Sequence, residues 1–189
     1  MNYKNLKTVT GPESMLYYSS PCAPFQIVRK SFLDKYNIRF YEGIYHEDVE
    51  YTPRMRYLAG KVSYLNDIIY YVCQNPNSIT RTVNIKKVYD VITIVAPRLH
   101  DFILKNVDDK YKPIYCGIIS SAINTVLSTN SPLSSKDKAQ VNRALYKNRY
   151  LYNYYCESTL FKYKVEGYLF RIFPSKPVEV LDFLKKITK

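Results

Sequence analysis

The second half of the chain has the hydrophobic periodicity of helices. Steps of three and four join a stripe of apolar residues: Ile85, Val88, Ile92, Val95, Leu99 and Phe102. A stripe of this kind over about five turns predicts a helix with one face in a core. Pro97 lies inside the pattern, and we expect it to kink the helix because proline lacks the amide hydrogen.

Further helices are predicted towards the C-terminus. A second stripe repeats the spacing at Tyr115, Ile118, Ala122 and Val126. Ser134 and Asp137 have the spacing of a capping box that opens a third helix. The tyrosine-rich stretch 150–172 predicts a fourth, and Pro177 suits the first position of a last one. We therefore expect residues 84–189 to form a C-terminal helical region.

The first half mixes helix and strand signals. A turn at Gly11 leads into a short helix, and Lys30–Tyr36 predicts a helical turn. The apolar residues of Phe25–Val28 favour a short buried strand. Lys61–Cys73 is rich in β-branched and aromatic residues and predicts two short strands. The fold class expected for the chain is therefore α+β and mainly helical.

A helix is also predicted over Glu47–Ala59, where apolar residues recur at helical spacing. Glu50 and Arg54 are four apart and would form an outward ion pair. Pro53 leaves two alternatives open: the first turn is loose, or Thr52 caps a helix that starts at Pro53, which leaves the acidic residues in the loop before it.

Length and composition narrow the protein class. A chain of 189 residues is long enough for one good core, so one packed unit is favoured. No apolar run is long enough to span a bilayer, and no signal peptide follows Met1, so we expect a cytoplasmic protein. The four cysteines form no CxxC pair, which argues against structural zinc and favours reduced, buried thiols.

The net charge of +12 predicts an anionic partner: nucleic acid, a membrane leaflet or a phosphorylated substrate. AT-rich coding also produces chains rich in Lys, Asn, Ile and Tyr, so the charge alone does not distinguish between these partners or show that an anion binds. Residues 147–155 combine two cations with four tyrosines, a composition that suits base stacking, a helical seam or a belt facing lipid head groups. Without a nucleic-acid-binding signature, we expect no nucleic acid partner and favour a membrane surface.

The candidate chemistry lies in Gly43-Ile44-Tyr45-His46-Glu47-Asp48, with Arg54 downstream. Two adjacent carboxylates after a glycine turn can place one acid as a general base, and a neighbouring acid can raise the pKa of that base. The structural alternative is that acids are favoured at a helix N-terminus by the helix dipole. Glu47 and Asp48 are the catalytic candidates, and His46 and Arg54 are candidates for acceptor binding.

The order of these residues resembles a known family. The string Glu42-Gly43-Ile44-Tyr45-His46-Glu47-Asp48-Val49-Glu50-Tyr51-Thr52-Pro53-Arg54 is followed by Tyr70-Tyr71-x-x-Gln74-Asn75-x-x-Ser78-Ile79-Thr80. Together they resemble the C-terminal half of family 2 glycosyltransferases, bacterial enzymes that assemble capsule, exopolysaccharide and O-antigen sugars. The resemblance covers roughly residues 8–82.

The resemblance implies the C-terminal part of a GT-A, Rossmann-like fold, with 1–83 as the partial catalytic segment. Asp48 would be the base of an inverting transfer and Glu47 would orient the acceptor or the loop. Ser78 and Thr80 would lie near the donor diphosphate. The implied partners are a nucleotide sugar, a UDP-sugar first, and a glycan or lipid-linked acceptor at the inner membrane. The full enzyme would use a divalent cation, Mg or Mn.

The chain also departs from the family pattern. It has no Asp-x-Asp cation motif and no glycine-rich phosphate loop, so no metal ligand is assigned. Cys73 stands where the family often has arginine, and Arg81 is the candidate to replace that phosphate contact. We therefore expect a portion that lacks the nucleotide-binding half and is inactive alone. The alternatives are a non-catalytic helical module for oligomerisation or membrane docking, and a basic nucleic-acid-binding domain.

Overall fold

The computed structural model describes residues 8–17, 20–65, 67–73, 78 and 82–187. The chain divides into two compact units, Met1–Asn77 and Ser78–Lys189, and not into the single packed unit that its length favours. Each part buries apolar side chains of its own. The boundary predicted between residues 83 and 84 lies a few residues beyond the observed division.

The described elements are helices and helical turns. The first unit contains α1 (Gly11–Ser14), α2 (Lys30–Lys35) and α3 (Glu47–Leu58), with 3-10 turns at Met15–Tyr17 and Ala23–Phe25. The second contains α4 (Ile85–Asp90), a π-helical turn (Val91–Val95), α5 (Ala96–Asn106), a 3-10 turn (Asp109–Tyr111), α6 (Lys112–Thr129), α7 (Ser135–Lys147), α8 (Leu151–Glu157), α9 (Phe161–Ile172) and α10 (Pro177–Ile187).

The prediction of a mainly helical chain is confirmed, but the predicted strands are wrong. Among the described residues, Val9 and Val62 form an isolated antiparallel bridge, and Lys61–Cys73 contains no strand. Phe25 ends a 3-10 turn, and Ile27 is exposed. A strand forms where a neighbouring strand pairs with it and a core covers one face, so β-branched composition alone does not produce one.

Helix α1 is fixed against the end of α3 by a close backbone contact. The Gly11 amide donates to the Ala59 carbonyl at 2.8 Å. A Cβ atom on Gly11 would lie 2.5 Å from the carbonyl oxygens of Arg56 and Tyr57, so only glycine fits there. Thr10 and Glu13 form a capping box that satisfies the start of α1.

The core of the first unit is small. Ile38, Tyr51 and Met55 are buried together, and half-buried apolar residues of α2 and its flanks pack against them. Two of the three core residues belong to α3, which is therefore the central element of the unit. Pro53 lies inside α3, so the alternative in which Thr52 caps a helix starting at Pro53 is wrong.

In the second unit, the predicted stripe from Val88 to Phe102 is buried, as expected. Pro97 is accommodated by the π-helical turn that precedes α5: the Ala96 amide reaches back five residues to the Val91 carbonyl. This wide turn is one of the usual solutions for a helix that must admit a proline. In α6, Tyr115 and Val126 are buried as predicted, whereas Ile118 and Ala122 are half-buried.

The tyrosine-rich stretch is part of the core of the second unit. The single helix predicted over 150–172 is two helices, α8 and α9, which pack closely together. The Ser158 hydroxyl accepts the Leu160 amide, a local bond that competes with helix continuation. Tyr152, Tyr154 and Tyr155 are buried. The helical-seam interpretation of 147–155 is therefore confirmed for these three, which form neither a base-stacking surface nor a lipid-facing belt.

Candidate functional site

The acidic motif lies at the start of α3, which is one of the two positions that the sequence left open. Gly43 has a φ of 80°, and His46, the residue before the helix, has a φ of 61° and a ψ of 36°. The left-handed region costs a non-glycine residue roughly 1–2 kcal/mol, so the surrounding structure must hold His46 in place. The His46 carbonyl accepts the Val49 amide at 3.1 Å, which begins the first turn. Glu47 and Asp48 are thereby fixed at the positive end of the helix dipole.

The two acids have different surroundings. Glu47 is exposed, whereas Asp48 is half-buried. Burial raises the pKa of Asp48, and the neighbouring Glu47 charge raises it further. The Val49 amide and the His46 charge oppose this rise in pKa. The expected rise is therefore present, although burial contributes more to it than the adjacent acid does.

A segment from the preceding loop covers the same face of α3. Asp48 and Thr52 are one helical turn apart, and the Thr52 hydroxyl donates to the Pro21 carbonyl at 2.7 Å. The Gln26 amide nitrogen donates to the Thr52 hydroxyl and to the Cys22 carbonyl, each at 3.2 Å. The pKa of the Cys22 thiol is raised first by burial and then by the nearby Asp48 charge. The Cys22 thiol is therefore near Asp48, and the bonds of Gln26 and Thr52 hold the loop that carries Cys22.

Sequence reasoning missed these three residues. Thr52 and Pro21 are 31 positions apart, and no local pattern links them. A threonine one turn after an acid is the only signal that the sequence offers, and it also fits an ordinary helix face.

Arg54 has a different surrounding from the one predicted. Its Nη2 atom lies 2.7 Å from a Glu50 carboxylate oxygen and donates to the Arg39 carbonyl at 3.2 Å. The Glu50 side chain is 0% exposed and that of Arg54 is 16% exposed. The predicted outward ion pair is thus buried, because Glu50 lies on the core-facing side of α3 with Tyr51 beside it. Acceptor binding by Arg54 and His46 stays a prediction.

The candidates for the donor diphosphate belong to the second unit. Ser78 is half-buried, and Thr80 and Arg81 lie outside the described residues. Ser78 is not the cap of α4, because Asn84 caps that helix by accepting the Lys86 amide at 2.9 Å. The diphosphate contact of these residues stays a prediction.

The first unit also has an open cleft of about 850 Å³. Cys22 and Gln26 belong to its wall, and Arg29, Arg56 and Lys61 bring positive charge to it. His46, Glu47, Asp48 and Arg54 do not line it. The cleft and the acidic motif therefore share the loop that covers Asp48 and are separate surfaces of the unit.

Arg56 has a structural contact in this cleft. Its Nε atom donates to the Ser14 hydroxyl at 3.0 Å, and its Nη2 atom donates to the Tyr64 hydroxyl. The Tyr64 hydroxyl also contacts the Ser14 carbonyl at 3.3 Å. Arg56 thus joins α3 to α1 and to the residues after Gly60. No comparable structural contact is described for Arg29 and Lys61, the other two cations of the cleft.

The described ranges contain no recognisable metal site or membrane span. No group of three or more His, Cys, Asp or Glu side chains there is arranged to hold a metal ion. All four cysteines are free thiols; the prediction that they are buried holds for Cys116 only, since Cys22 and Cys156 are half-buried and Cys73 is exposed. No described helix combines the length and the apolar character required to cross a bilayer.

Comparison of the chain with models of protein families, with curated proteins and with solved structures finds no match in any of the three.

Proposed function

We propose that this chain is the base-bearing, acceptor-side portion of an inverting glycosyltransferase of the GT-A type. The observation that carries the proposal is Asp48: a half-buried carboxylate with a raised pKa, fixed in the first turn of α3 beside a second acid. A general base works best when its pKa is near the working pH, and burial moves the pKa of Asp48 in that direction. The resemblance of residues 42–54 to family 2 glycosyltransferases supplies the reaction class.

The proposed step is a direct displacement at the anomeric carbon. An acceptor hydroxyl oxygen bonds to that carbon while its proton passes to an Asp48 carboxylate oxygen. The bond between the anomeric carbon and the diphosphate oxygen breaks, and the nucleoside diphosphate leaves with the electron pair. Attack opposite the leaving group inverts the configuration of the carbon.

The neighbouring residues have supporting roles in this proposal. Glu47, which is exposed, is available to accept a hydrogen bond from a second acceptor hydroxyl. The rigid left-handed backbone at His46 fixes the direction in which the first turn of α3 points. The bonds of Thr52 to Pro21 and Gln26 hold the loop of Cys22, whose thiol is near enough for the Asp48 charge to raise its pKa. In this proposal the loop helps to shield Asp48 from bulk water and so contributes to its raised pKa.

The donor proposed is a nucleotide sugar, most simply a UDP-sugar, and the acceptor is a glycan or lipid-linked glycan of cell-surface polysaccharide synthesis. Enzymes of this class use Mg or Mn to neutralise the donor diphosphate. The described residues do not fit such an ion, because they provide no cluster of carboxylate, thiolate or imidazole ligands. No step is therefore assigned to a cation bound by these residues.

The test compares this chain with a version extended upstream through the genomic reading frame, because the resemblance covers the acidic motif and not a nucleotide-binding half. Each version is made with and without Asp48→Asn. Donor binding is measured by calorimetry with a panel of UDP-sugars, and transfer by release of UDP. We expect the extended protein to bind and turn over, and its Asp48→Asn variant to bind without turnover.

The matched control is Glu42→Gln, which removes one negative charge from an exposed side chain at the other end of the motif. It should leave turnover unchanged. The rate of the unmodified protein should rise with pH through the raised pKa of Asp48, since the base must be ionised. An absence of upstream coding together with no nucleotide binding by this chain, or full activity of Asp48→Asn, would overturn the proposal.

A further inference from the structure

Helix α9 has two contrasting faces. Its inner face is buried against the second unit and includes Glu166, Gly167 and Phe170. The opposite face has a second apolar stripe at positions i, i+4, i+7 and i+11: Phe161, Val165, Tyr168 and Ile172. Residues at these positions lie in one row along a helix. A surface helix normally has its apolar residues on the core side alone, so this outer stripe requires an explanation.

The outer stripe is open to solvent in this chain. Phe161 is 80% exposed, Tyr168 is 56% exposed and Ile172 is 65% exposed, and Val165 is half-buried between them. Leu160 and Phe173, directly before and after α9, are also more than half exposed and extend the stripe at both ends. Scattered exposed apolar residues are normal on protein surfaces, but a continuous row on one helix face marks a site of contact.

Positive charge flanks the stripe. Lys164 and Arg171 are exposed beside it, and Lys162 is exposed on the other side. Arg171 donates to the Asn153 side chain at 2.7 Å, which holds its guanidinium close to the surface of α8. The second unit has 19 basic and nine acidic residues, so its charge of +10 accounts for most of the +12 of the chain. The partner of the stripe must therefore be anionic and apolar at the same time.

This combination discriminates between the possible partners. A second copy of the chain pairing stripe to stripe around a two-fold axis would bring Lys164 and Arg171 of both copies together, and like charges oppose that contact. Single-stranded nucleic acid is anionic, but Val165 and Ile172 are aliphatic and provide no ring on which a base can stack. An anionic lipid surface offers phosphate groups to the cations and acyl chains to the apolar row.

We propose that the outer face of α9 docks the second unit onto a bilayer that contains anionic phospholipid. The helix is about 18 Å long and would lie in the plane of the membrane. Its aromatic and aliphatic side chains enter the boundary between head groups and acyl chains, and the flanking cations remain among the phosphates. This surface replaces 147–155 as the membrane-facing candidate, because the tyrosines Tyr152, Tyr154 and Tyr155 of that stretch are buried.

The test is co-sedimentation of the full chain with vesicles of phosphatidylcholine, with and without phosphatidylglycerol. Binding is expected on the anionic vesicles, and it should weaken as salt is added. The double variant Phe161→Ser with Ile172→Ser should lose at least tenfold in binding. Lys164→Glu should lose roughly fivefold or more, because it replaces an attracted charge with a repelled one.

Two matched controls distinguish binding through this surface from non-specific hydrophobic adsorption and from non-specific electrostatic attraction. Leu104→Ser removes an apolar side chain that is 66% exposed on α5, and Lys136→Glu makes the same charge change on the exposed side of α7. We expect each to reduce binding less than twofold. All the changed residues are exposed, so far-UV circular dichroism should report unchanged helix content in every variant.

Several results would overturn the proposal. The first is equal binding to both vesicle types, and the second is an equal loss of binding in the control and α9 variants. The third is a double variant that binds vesicles normally but is defective in self-association or in oligonucleotide binding. Displacement of the chain from anionic vesicles by millimolar inorganic phosphate at constant ionic strength would indicate a simple phosphate site and would also overturn it. The inference is independent of the proposed transferase, since Asp48→Asn should bind vesicles normally.

Discussion

The buried pair of Glu50 and Arg54 gives the sharpest test of how the first unit is held together. Replacing Arg54 by methionine would leave a carboxylate that is 0% exposed without its cation. Removing one partner from a buried ion pair costs about 3–5 kcal/mol. A unit of 77 residues has a free energy of unfolding of roughly 4–12 kcal/mol. Arg54→Met should therefore remove a large part of the stability of the first unit.

The companion variants identify burial as the cause. Glu50→Leu combined with Arg54→Met replaces the pair with apolar side chains of similar volume and should recover most of the loss, because such replacements are often neutral or better. Lys30 and Asp34 form the matched control, also four residues apart on a helix of the first unit, with side chains 87% and 42% exposed. Lys30→Met should cost far less than Arg54→Met, because water screens an exposed ion pair.

The assay must resolve one unit from the other. The chain has no tryptophan and both units are helical, so circular dichroism would mix their unfolding transitions. We would measure hydrogen exchange by mass spectrometry in a urea series, on peptides that cover 47–58. A cost below about 1 kcal/mol for Arg54→Met, or additive costs in the double variant, would refute the argument that burial of the charge sets the magnitude.

Three further predictions concern the second unit. A Cβ atom on Gly167 would lie 2.7 Å from the Cys156 amide nitrogen, so Gly167→Ala should destabilise the unit by about 1–3 kcal/mol in urea titrations. In the control Gly117→Ala, the new Cβ atom meets only the Ser158 hydroxyl at 3.8 Å, so this variant should be neutral or stabilising. Equal costs of the two substitutions would contradict the close contact at Gly167. Burial raises the pKa of Glu166 above 4.5, so the contribution of its carboxyl group is fully present below that pH and is lost as the pH rises through the pKa of the folded state. Glu166→Gln should remove this pH dependence from the urea midpoints, and an unchanged slope would show that another group causes it. Burial raises the pKa of Cys116 to about 12, so its thiolate is about a thousand-fold scarcer than that of a free cysteine. Alkylation followed by mass spectrometry should therefore modify the exposed Cys73 first and Cys116 only after unfolding. Comparable alkylation rates of the two thiols in the folded protein would contradict the burial of Cys116.

Elements set by local interactions were predicted well. Half of the capping box predicted at Ser134 and Asp137 is observed: the serine hydroxyl accepts the Asp137 amide at 3.1 Å and donates to the Asp137 carboxylate at 2.7 Å. Pro177 is the first residue of α10, as its fixed φ favours. The stripe that ends at Phe102 is buried because a helix presents every third or fourth residue on one side wherever it packs.

Elements that depend on distant partners were predicted poorly. Lys61–Cys73 has strand composition, yet no described segment pairs with it beyond the bridge at Val62. The interpretations of 147–155 could not be separated in advance, since a tyrosine suits a core, an interface or a nucleic-acid surface equally well. Packing against α9 and α6 then buried most of these rings.

The candidate site divides in the same way. The sequence by itself predicted a helix over Glu47–Ala59 with Glu47 and Asp48 at its start, but Pro53 left open a later start with both acids in the loop, and the structure selected the first of these. Only the tertiary structure decided that Asp48 is half-buried, that Gln26 bonds to Thr52 of α3, and that Glu50 forms a buried ion pair with Arg54. The outer stripe of α9 became recognisable only when its inner face was seen to be occupied. Local hydrogen bonds and helical periodicity depend on a few neighbouring residues. Burial depends on segments tens of residues apart, which come together only when the chain folds.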